Sequence, residues 1–431
     1  MKDILIIGNG ISGITAARHI RKLSGHKITV ISSETRHFFA RTALMYIYMG
    51  HMKHKNTKPY EDWFWKKNRI DLIEDHVKFV NADKNKVILS SGAEKSYDIL
   101  IIASGSKPNK FGWPGQELEG VSGFYSYQDL ERVKKYTKSI KRAVIVGGGL
   151  IGVELAEMMH AANIAVTMLV REDRYWGNVL PVEEARLVER EIERHHIDLR
   201  LNTELKEILP DEQGRVKAVL SDKDEVIECG FVGLATGVHP NIDWLKDSGI
   251  ETEKGLLVDE YLKTNKDNVY AIGDCAQFRK PPSNRKAIEQ VWYTGRMQAE
   301  TLAQTICGNP LKYEPGVWFN SAKFFNIEYQ TYGWVLNELK EDEDDFYWEA
   351  PDGKSGLKMV FNRNDGSLKG VNAFGIRMKQ EVCEGWIKNK ISIDETIENI
   401  HEAIFDPELS KNRSKQIRAA YQNENVIMEA R

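Results

Sequence analysis

Two glycine-rich turns in this sequence have residue types and spacing suited to binding a dinucleotide. Each turn carries glycine in the pattern GxGxxG: Gly8, Gly10 and Gly13 in the first, with Ser12 beside them, and Gly147, Gly149 and Gly152 in the second. A pyrophosphate binds the backbone N–H groups at a helix N-terminus, and glycine lets it come close. One such turn is weak evidence because glycine turns are common. Two of them, each between an apolar run and a helical stretch, predict two dinucleotide sites.

The residues that follow the next strand of each segment indicate which nucleotides bind. In the first segment this residue is Glu34, whose carboxylate can bind an adenosine ribose. In the second segment, Val170 stands where an NAD site usually has an acid, and Arg171 and Arg174 can accept a 2′-phosphate. The second site therefore favours NADP, although Glu172 leaves NAD open. The alternative is a solvated charged turn without a role in binding.

Each glycine turn lies inside a βαβ unit. An apolar run precedes the turn, small and apolar residues at helical spacing follow it, and a second apolar strand comes next, at Lys27–Ile31 and Ala165–Val170. Units of this kind form parallel sheets with right-handed crossovers. The sequence therefore predicts an α/β protein with two Rossmann-like domains.

Length, charge and cysteine content narrow the class of protein. The chain has 431 residues, which suggests about three domains, and its net charge of −3 gives no general attraction to nucleic acid or membranes. No apolar run can span a bilayer, and Ile4–Ile7 is too short for a signal peptide, so we expect a cytoplasmic protein. The cysteines are Cys229, Cys275, Cys307 and Cys383, none near another in sequence. This spacing argues against a disulfide framework, a metal site or a local redox dithiol.

Turn-rich stretches at Phe111–Gly115 and Asn309–Gly316 predict domain boundaries. Beyond the second stretch, alternating residues predict an antiparallel sheet, the acidic run Glu338–Asp345 predicts a solvated loop, and residues from Ile391 onward predict amphipathic helices. The predicted domains are a first dinucleotide domain in two segments, 1–115 and 256–312, a second dinucleotide domain at 116–255, and a C-terminal domain at 313–431.

Three further motifs resemble the two-dinucleotide-binding flavoproteins, the superfamily that includes the pyridine nucleotide–disulfide oxidoreductases. They are Tyr97–Pro108, Gly233–Pro240 and Asn268–Ala276, and the resemblance covers nearly the first 310 residues. It implies two Rossmann-like domains of three-layer ββα type, one for FAD and one for NAD(P), with a C-terminal α+β interface domain. The cofactor contacts it implies are Gly8, Gly10, Ser12, Gly13, Glu34, Arg41, Val77, Ala103, Ser104, Gly105, Gly273, Asp274 and Trp292, then Gly147, Gly149, Gly152, Arg171 and Gly237.

Within that superfamily Asp274 would bind the ribityl chain of the flavin. The helix near Ile288–Ala303 would point its N-terminus at the flavin, where its dipole stabilises charge on the reduced cofactor. Without the family, Asp274 is only a carboxylate in a turn after a buried strand.

The segment Arg36–Tyr46 contains no cysteine and resembles the Tyr-x-Arg-x-x-Leu stretch of rubredoxin and ferredoxin reductases. That match makes Arg41 a contact of the isoalloxazine. It also matches Glu154 to a glutamate that pairs with a lysine, although Tyr46 occupies the lysine position here. Arg41, Glu154 and Tyr46 are therefore the expected catalytic residues, with a Tyr46–Glu154 hydrogen bond as one arrangement. Trp292 and Trp318 fall near family tryptophans that contact flavin or nicotinamide, and core packing is the alternative for both.

The resemblance implies hydride transfer from NAD(P)H to flavin N5, which requires alignment and not a general base. Without a dithiol, electrons would pass directly to an acceptor, most simply a small one-electron carrier such as rubredoxin or ferredoxin. Lys53, Lys55 and Lys58 form a basic patch that would guide an acidic carrier, unless the patch is only a solvated helix face. A homodimer is left open.

Two other functions remain compatible with the sequence. The reduced flavin would react with oxygen in an NAD(P)H oxidase, or with a quinone in a membrane-associated dehydrogenase. The periodic tail Ile391–Ile404 contains three glutamates, which match an anionic bilayer poorly. The other function is a redox-sensitive binding module, because apoptosis-inducing factor resembles this branch.

Overall fold

The computed structural model describes residues 1–282, 284–405, 408 and 411–429. Contacts between Cα atoms separate two compact units, each with one glycine turn. Unit 1 comprises Met1–Asn109, Ser122–Lys135 and Gly237–Pro315, and unit 2 comprises Lys110–Val121, Tyr136–Thr236 and Gly316–Arg431. This division assigns the short segment Ser122–Lys135 to unit 1 and the C-terminal segment to unit 2. The domain boundaries given above stay a prediction.

Unit 1 is built on a sheet of five parallel strands. In spatial order these are Val269–Ala271, Ile99–Ile102, Asp3–Ile7, Lys27–Ser32 and Ile70–Glu74. The central strands are buried along almost their whole length, which explains their unbroken apolar sequences. The helices Ile11–Leu23 and Trp292–Ile306 pack against each other through fully buried alanines such as Ala17 and Ala299.

Smaller elements complete unit 1. An antiparallel sheet contains Val77–Asn81, Lys86–Leu89 and Glu94–Ser96, and its buried valines join the core of the parallel sheet. Two short strand pairs join Ser106–Pro108 to Val238–Pro240 and Leu256–Val258 to Ala276–Phe278. The remaining helices are Leu44–Tyr48, Asp62–Lys67 and Tyr127–Tyr136.

Unit 2 contains a second five-stranded sheet, in which the first four strands are parallel. Its order is Asp198–Arg200, Ala165–Leu169, Arg142–Val146, Phe231–Leu234 and Val121–Ser122. The helices Leu150–Ala161 and Val182–Arg194 belong to this part, as does an antiparallel sheet of Leu205–Pro210, Val216–Ser221 and Val226–Glu228. The two parallel sheets confirm the predicted α/β class with Rossmann-like cores.

The C-terminal part of unit 2 is an α+β structure, as predicted. Its antiparallel sheet has the order Phe319–Phe324, Ile327–Gly333, Leu368–Phe374, Gly356–Asn362 and Glu343–Glu349. The helices are Gln380–Lys388, Ile393–Glu398, Ile400–Ala403 and Ser414–Glu429.

The prediction of a solvated loop over Glu338–Asp345 is wrong at its C-terminal end, because Glu343 begins an edge strand and is only 4% exposed. Lysines on two other strands of the sheet make this possible: Lys369 pairs with Glu343, and Lys358 pairs with Asp345.

The predicted amphipathic helices of the tail bury their apolar face in the core of this sheet. Ile393, Ile397, Ile400 and Ile404 are each at most 4% exposed and belong to the same buried cluster as Leu357. That face is therefore occupied by protein, not available to a lipid surface. Among the helices that the structure describes, none is both long enough and apolar enough to cross a bilayer.

Candidate active site

The three glycines of the first turn have different roles. Gly8 has φ +105°, and a Cβ added there would lie 2.1 Å from the carbonyl oxygen of Ala103. A Cβ at Gly13 would lie 2.0 Å from the oxygen of Gly8. The fold itself therefore requires these two glycines. A Cβ at Gly10 would meet no protein atom within 4 Å, so Gly10 borders open space at the start of the helix Ile11–Leu23. That space fits a pyrophosphate bound to helix N–H groups.

The second turn repeats this geometry in unit 2. Cβ atoms at Gly147 and Gly152 would lie 2.3 Å from the carbonyl oxygens of Ala235 and Gly147 respectively. At Gly149, the N-cap of the helix Leu150–Ala161, no protein atom lies within 4 Å of the added Cβ. Each unit thus has the same cradle, with one open glycine between two that packing fixes.

In unit 1, Glu34 and Arg41 form a paired guanidinium and carboxylate. The two Nη atoms of Arg41 donate to the two carboxylate oxygens of Glu34 at 2.9 and 2.5 Å. The backbone N–H of Tyr127 also donates to Glu34 Oε1 at 2.8 Å. Both oxygens of Glu34 already accept hydrogen bonds, so a ribose hydroxyl would share this carboxylate with Arg41. The proposed roles of both residues stay predictions, but the structure places them side by side.

Arg41 connects this pair to a tyrosine that the sequence did not reveal. Its Nη1 donates to the carbonyl oxygen of Tyr125 at 2.5 Å, and its guanidinium lies 4.5 Å from the centre of the Tyr125 ring. Burial acts to lower the pKa of Arg41, but the charges of Glu34 and Asp274 outweigh it and raise that pKa above its usual value. Arg41 therefore stays a cation among buried carboxylates.

Asp274 lies in the turn after the strand Val269–Ala271, as the motif predicted. Its Oδ2 accepts hydrogen bonds from Ser106 Oγ at 3.0 Å and Tyr125 Oη at 3.3 Å. Burial raises the pKa of Asp274, while these hydrogen bonds and Arg41 act to lower it. Gln290 Nε2 donates to the same Ser106 Oγ at 2.7 Å. We call Glu34, Arg41, Ser106, Tyr125, Asp274 and Gln290 the carboxylate network.

Half of the carboxylate network was missed by sequence reasoning. Glu34, Arg41 and Asp274 stand in recognisable motifs, but Ser106, Tyr125 and Gln290 are joined to them by contacts that span 84 to 184 residues. Such separations leave no local pattern to detect. Tyr125 comes from the segment Ser122–Lys135, which returns to unit 1 between two stretches of unit 2.

The other predicted flavin contacts lie around this network or in the core. Ser104 Oγ donates to the carbonyl oxygen of Asn241 at 2.9 Å, and Gly105 has φ +70° with Tyr125 Oη close by. Gly273 has φ +76°, and a Cβ there would lie 2.4 Å from Ser12 Oγ. Gly237, which was predicted as an NAD(P) contact, has φ +85°, lies beside Asn109 and belongs to unit 1.

Two further predicted contacts differ in their setting. Val77 is 5% exposed and its side chain joins the apolar core. Trp292 is the first residue of its helix, which begins four residues later than predicted because Val291 keeps an extended backbone. Contact of Val77 and Trp292 with the flavin cofactor stays a prediction.

The four cysteines are free and offer no thiolate near neutral pH. Cys275, beside Asp274, is fully buried, and its Sγ lies 3.5 and 3.4 Å from the carbonyl oxygens of Ile102 and Ile272. Burial raises the pKa of the Cys275, Cys307 and Cys383 thiols, and raises that of Cys229 to about 12. Because the thiolate is the reactive form, none of these residues is suited to a redox relay.

In unit 2, Glu154 lies on the helix that follows the glycine turn. Burial raises the pKa of Glu154 to about 7, Glu157 adds to this effect, and Lys323 opposes it. Lys323 itself pairs with Glu157 at 2.7 Å. Glu154 therefore exchanges a proton near neutral pH. Tyr46 belongs to unit 1, so its pairing with Glu154 stays a prediction.

The loop after the strand Ala165–Leu169 carries the residues expected to select the nucleotide. Val170 is fully buried against Gly148, whereas the Arg171 side chain is 69% exposed and pairs with Glu172 at 3.0 Å. An exposed pair of this kind contributes little and is easily exchanged for a phosphate. Arg174 is 20% exposed and donates to the carbonyl oxygen of Gly177, so it serves the loop structure.

Comparison with known proteins places these sites in a family. The model of the pyridine nucleotide-disulphide oxidoreductases matches residues 2–299 of the chain. The chain belongs to this family. The predicted membership of this family of oxidoreductases is confirmed.

Relatives of this oxidoreductase include electron-transfer proteins. It is 31% identical over 338 residues to the ferredoxin reductase subunit of a 5,5′-dehydrodivanillate O-demethylase from Sphingobium, covering 77% of the chain and 81% of that subunit. It is 27% identical over 433 residues to nitrite reductase (NAD(P)H) of Bacillus subtilis, covering 99% of the chain. The chain spans about half the length of the first curated relatives it matches, 51% in this case. A ferredoxin reductase structure from Rhodopseudomonas palustris covers 97% of the chain and is itself covered to 99%, with a TM-score of 0.80 and 21% identity.

The basic patch of the oxidoreductase is smaller than its sequence indicated. Lys53 and Lys55 are exposed and make no ion pair within the described residues, but Lys58 is bound to Asp62 at 2.6 Å. Between the two free lysines, His54 packs on the rings of Phe39 and Tyr127. The patch is therefore fixed to the same segment of unit 1 that binds Glu34.

The C-terminal part of the oxidoreductase holds the other predicted tryptophan. Trp318 stacks on Trp334 with ring centres 5.3 Å apart and an interplanar angle of 6°. Both rings are only partly buried. Their contact with a cofactor stays a prediction.

Proposed function

We propose that this oxidoreductase takes electrons from NAD(P)H at unit 2 and passes them from FAD at unit 1 directly to a one-electron acceptor protein, such as a rubredoxin or ferredoxin. The carboxylate network beside the open cradle at Gly10 carries this proposal. It offers what an FAD site needs, namely room for a pyrophosphate and polar groups for ribose and ribityl hydroxyls. The four cysteines are free and three of them are buried, which supports direct transfer without a disulfide relay.

The residues of unit 1 fit FAD in their chemistry. Gly10 would leave the pyrophosphate free access to the N-terminus of Ile11–Leu23, and Glu34 and Asp274 would accept hydrogen bonds from sugar hydroxyls. When bound, FAD would supply a hydride acceptor that can release electrons one at a time. The protein's part is then to orient the two cofactors and to exclude water.

The residues of unit 2 fit a nicotinamide dinucleotide in the same way, through the cradle at Gly149. We propose NADPH as the preferred donor, because Val170 offers no acid to a ribose 2′-hydroxyl and Arg171 offers a positive charge. Glu154, which titrates near pH 7, is proposed to lie close to the nicotinamide. The proposed setting is the cytoplasm.

An anaerobic titration tests the core of this function. One equivalent of NADPH or NADH should bleach the flavin absorption, with no thiolate charge-transfer band. Oxidised rubredoxin or ferredoxin should then restore the absorption faster than air does. A protein that holds FAD but is reduced by neither nucleotide would contradict the proposal, and reoxidation by oxygen at an equal rate would favour an oxidase.

The acceptor surface is proposed to include the two free lysines. Reversing both, Lys53→Glu with Lys55→Glu, should lower the rate constant for an acidic carrier about tenfold at low salt and flatten its salt dependence. Lys84→Glu with Lys95→Glu is the matched control, because both lysines are exposed, Lys84 in a turn and Lys95 on a strand of the antiparallel sheet of unit 1. Equal rates for both double variants would remove the patch from the proposal.

A second candidate is an electron-delivery module for a nitrite- or nitrate-reducing partner. It is favoured by similarity that includes the C-terminal domain: 99% of the chain matches the nitrite reductase, and 94% matches the assimilatory nitrate reductase electron transfer subunit of Bacillus subtilis at 26% identity. Mixing the reduced protein with the separately produced catalytic half of such a relative should give nitrite-dependent NAD(P)H oxidation. Rubredoxin and ferredoxin would then be poor acceptors.

A further inference from the structure

A buried ion pair lies just before the helix Trp292–Ile306 in unit 1. The guanidinium of Arg285 binds the carboxylate of Glu289 through two nitrogens, with Nη2 at 2.6 Å from Oε2. Their side chains are only 4% and 7% exposed. Thr294, in the first turn of the helix, donates its hydroxyl to Glu289 Oε2 at 3.0 Å. We call Arg285, Glu289 and Thr294 the buried clamp.

The stability of the fold alone does not explain why an ion pair is buried here. Removing two charges from water is costly, and apolar residues of similar volume often serve stability equally well or better. An exposed ion pair on the helix Trp292–Ile306 gives a direct contrast. Arg296 and Glu300 are also four residues apart, but their side chains are 54% and 34% exposed. A buried ion pair fixes geometry, since its two hydrogen bonds allow little freedom.

The buried clamp is joined to the carboxylate network through consecutive residues. Glu289 belongs to the clamp, while the next residue, Gln290, donates to Ser106 Oγ at 2.7 Å. Ser106 in turn donates to Asp274 at 3.0 Å. Val291 then starts the helix as its N-cap. The position of Glu289 therefore determines both where Gln290 reaches and where the helix begins.

We propose that the buried clamp is a positioning device for the flavin: it holds Gln290 and the N-terminus of the helix Trp292–Ile306 in place at the FAD site. Arg285, Glu289 and Thr294 are positioning residues and not catalytic ones. The inference rests on the FAD part of the proposed function and is independent of the acceptor. A helix N-terminus held near the flavin favours the reduced, more negative form, so the clamp contributes to the reduction potential as well as to FAD retention.

The test measures FAD dissociation from the holoenzyme and its midpoint potential. Glu289→Gln leaves Arg285 uncompensated and should weaken FAD binding at least tenfold. If reduced flavin is weakened tenfold more than oxidised flavin, the potential falls by about 30 mV for a two-electron couple. Thr294→Val removes one hydrogen bond without changing charge and should give smaller changes in the same direction. The control is Arg296→Met with Glu300→Met, which should match the wild type.

A double variant, Arg285→Met with Glu289→Met, separates positioning from stability. It removes both buried charges, so its melting temperature should equal or exceed that of Glu289→Gln, yet FAD retention and potential should still fall. If FAD retention and midpoint potential in the double variant both equal those of the wild type, the proposal is overturned. If the double variant does not fold, Thr294→Val is the deciding variant. Wild-type FAD retention and potential in Thr294→Val would then overturn the proposal. A wild-type protein that binds no FAD would instead contradict the proposed function.

Discussion

Replacing Gly10 with alanine should abolish tight FAD binding while leaving unit 1 folded, and replacing Gly13 with alanine should lower the melting temperature. Gly10 has φ −68°, which suits any residue, and its added Cβ meets no protein atom within 4 Å. Alanine leaves the unfolded chain fewer conformations than glycine does, and this contributes roughly 0.4–1 kcal/mol to the stability of the folded protein. At Gly13 the new Cβ would lie 2.0 Å from the Gly8 carbonyl oxygen, in a part of the core that cannot yield. Overpacking of this kind costs about 3 kcal/mol or more.

The effect of Gly10→Ala on binding follows from the hydrogen bonds that it blocks. A methyl group in the open space keeps the pyrophosphate from the backbone N–H groups behind it. A hydrogen bond to a charged group contributes about 2 kcal/mol, so each bond lost should weaken FAD binding roughly 30-fold. Gly149→Ala is the equivalent change in unit 2, where the open position has the same surroundings. It should retain FAD and lose reduction by NAD(P)H.

Three measurements check these expectations: melting temperature, FAD content after gel filtration, and anaerobic reduction of bound flavin. The reasoning is refuted if Gly10→Ala retains FAD as the wild type does, or if it melts as early as Gly13→Ala. Gly25→Ala is a matched control, because this glycine also has no atom within 4 Å of its added Cβ but lies outside the turn.

Three further predictions concern charge and cysteine. Burial raises the pKa of Glu184 to about 8 from a usual 4.5, so the folded state binds the extra proton and the free energy of unfolding falls as pH rises from about 4.5 to about 8. Glu184→Gln should therefore melt above the wild type at pH 8.5 and close to it at pH 4.5, whereas an equal difference at both pH values would contradict the assignment. Arg171→Glu should lower kcat/KM for NADPH about tenfold or more with little change for NADH; equal losses with both nucleotides would reject a 2′-phosphate contact. Serine at Cys275 and Cys307 together should leave reduction of the flavin by NAD(P)H within about twofold of wild type, and loss of flavin reduction would show that a thiol takes part.

The glycine turns show what sequence can determine. Their spacing between an apolar strand and a helix identified two Rossmann-like cores, because pyrophosphate binding and strand–helix packing both require glycine at fixed positions. The same pattern did not reveal that Gly8 and Gly13 meet carbonyl oxygens while Gly10 meets nothing. For Gly8 the contact is with Ala103, which lies about ninety residues away and is brought close by the sheet.

The residues that sequence reasoning missed share one physical cause. Tyr125, Ser106 and Gln290 act through contacts between distant segments, and no local periodicity accompanies such contacts. Glu343 was misjudged for a related reason, since its burial depends on Lys369 from another strand. The composition of an acidic run indicates a solvated loop. The ion pair with Lys369 makes burial of Glu343 possible, and the local sequence does not show that pair.

The discontinuity of unit 1 has a consequence for its synthesis. Ribosomes add about 5–20 residues per second, so roughly 10–40 s separate the emergence of Asn109 from that of the helix Trp292–Ile306. During this interval the strand Asp3–Ile7 and the helix Ile11–Leu23 are present, but the helix Trp292–Ile306 that packs against Ile11–Leu23 is not. The nascent chain therefore carries an exposed apolar surface that invites chaperones or aggregation. Asp274 is proposed to belong to the FAD site, so FAD would be captured there only after about two-thirds of this chain has been made.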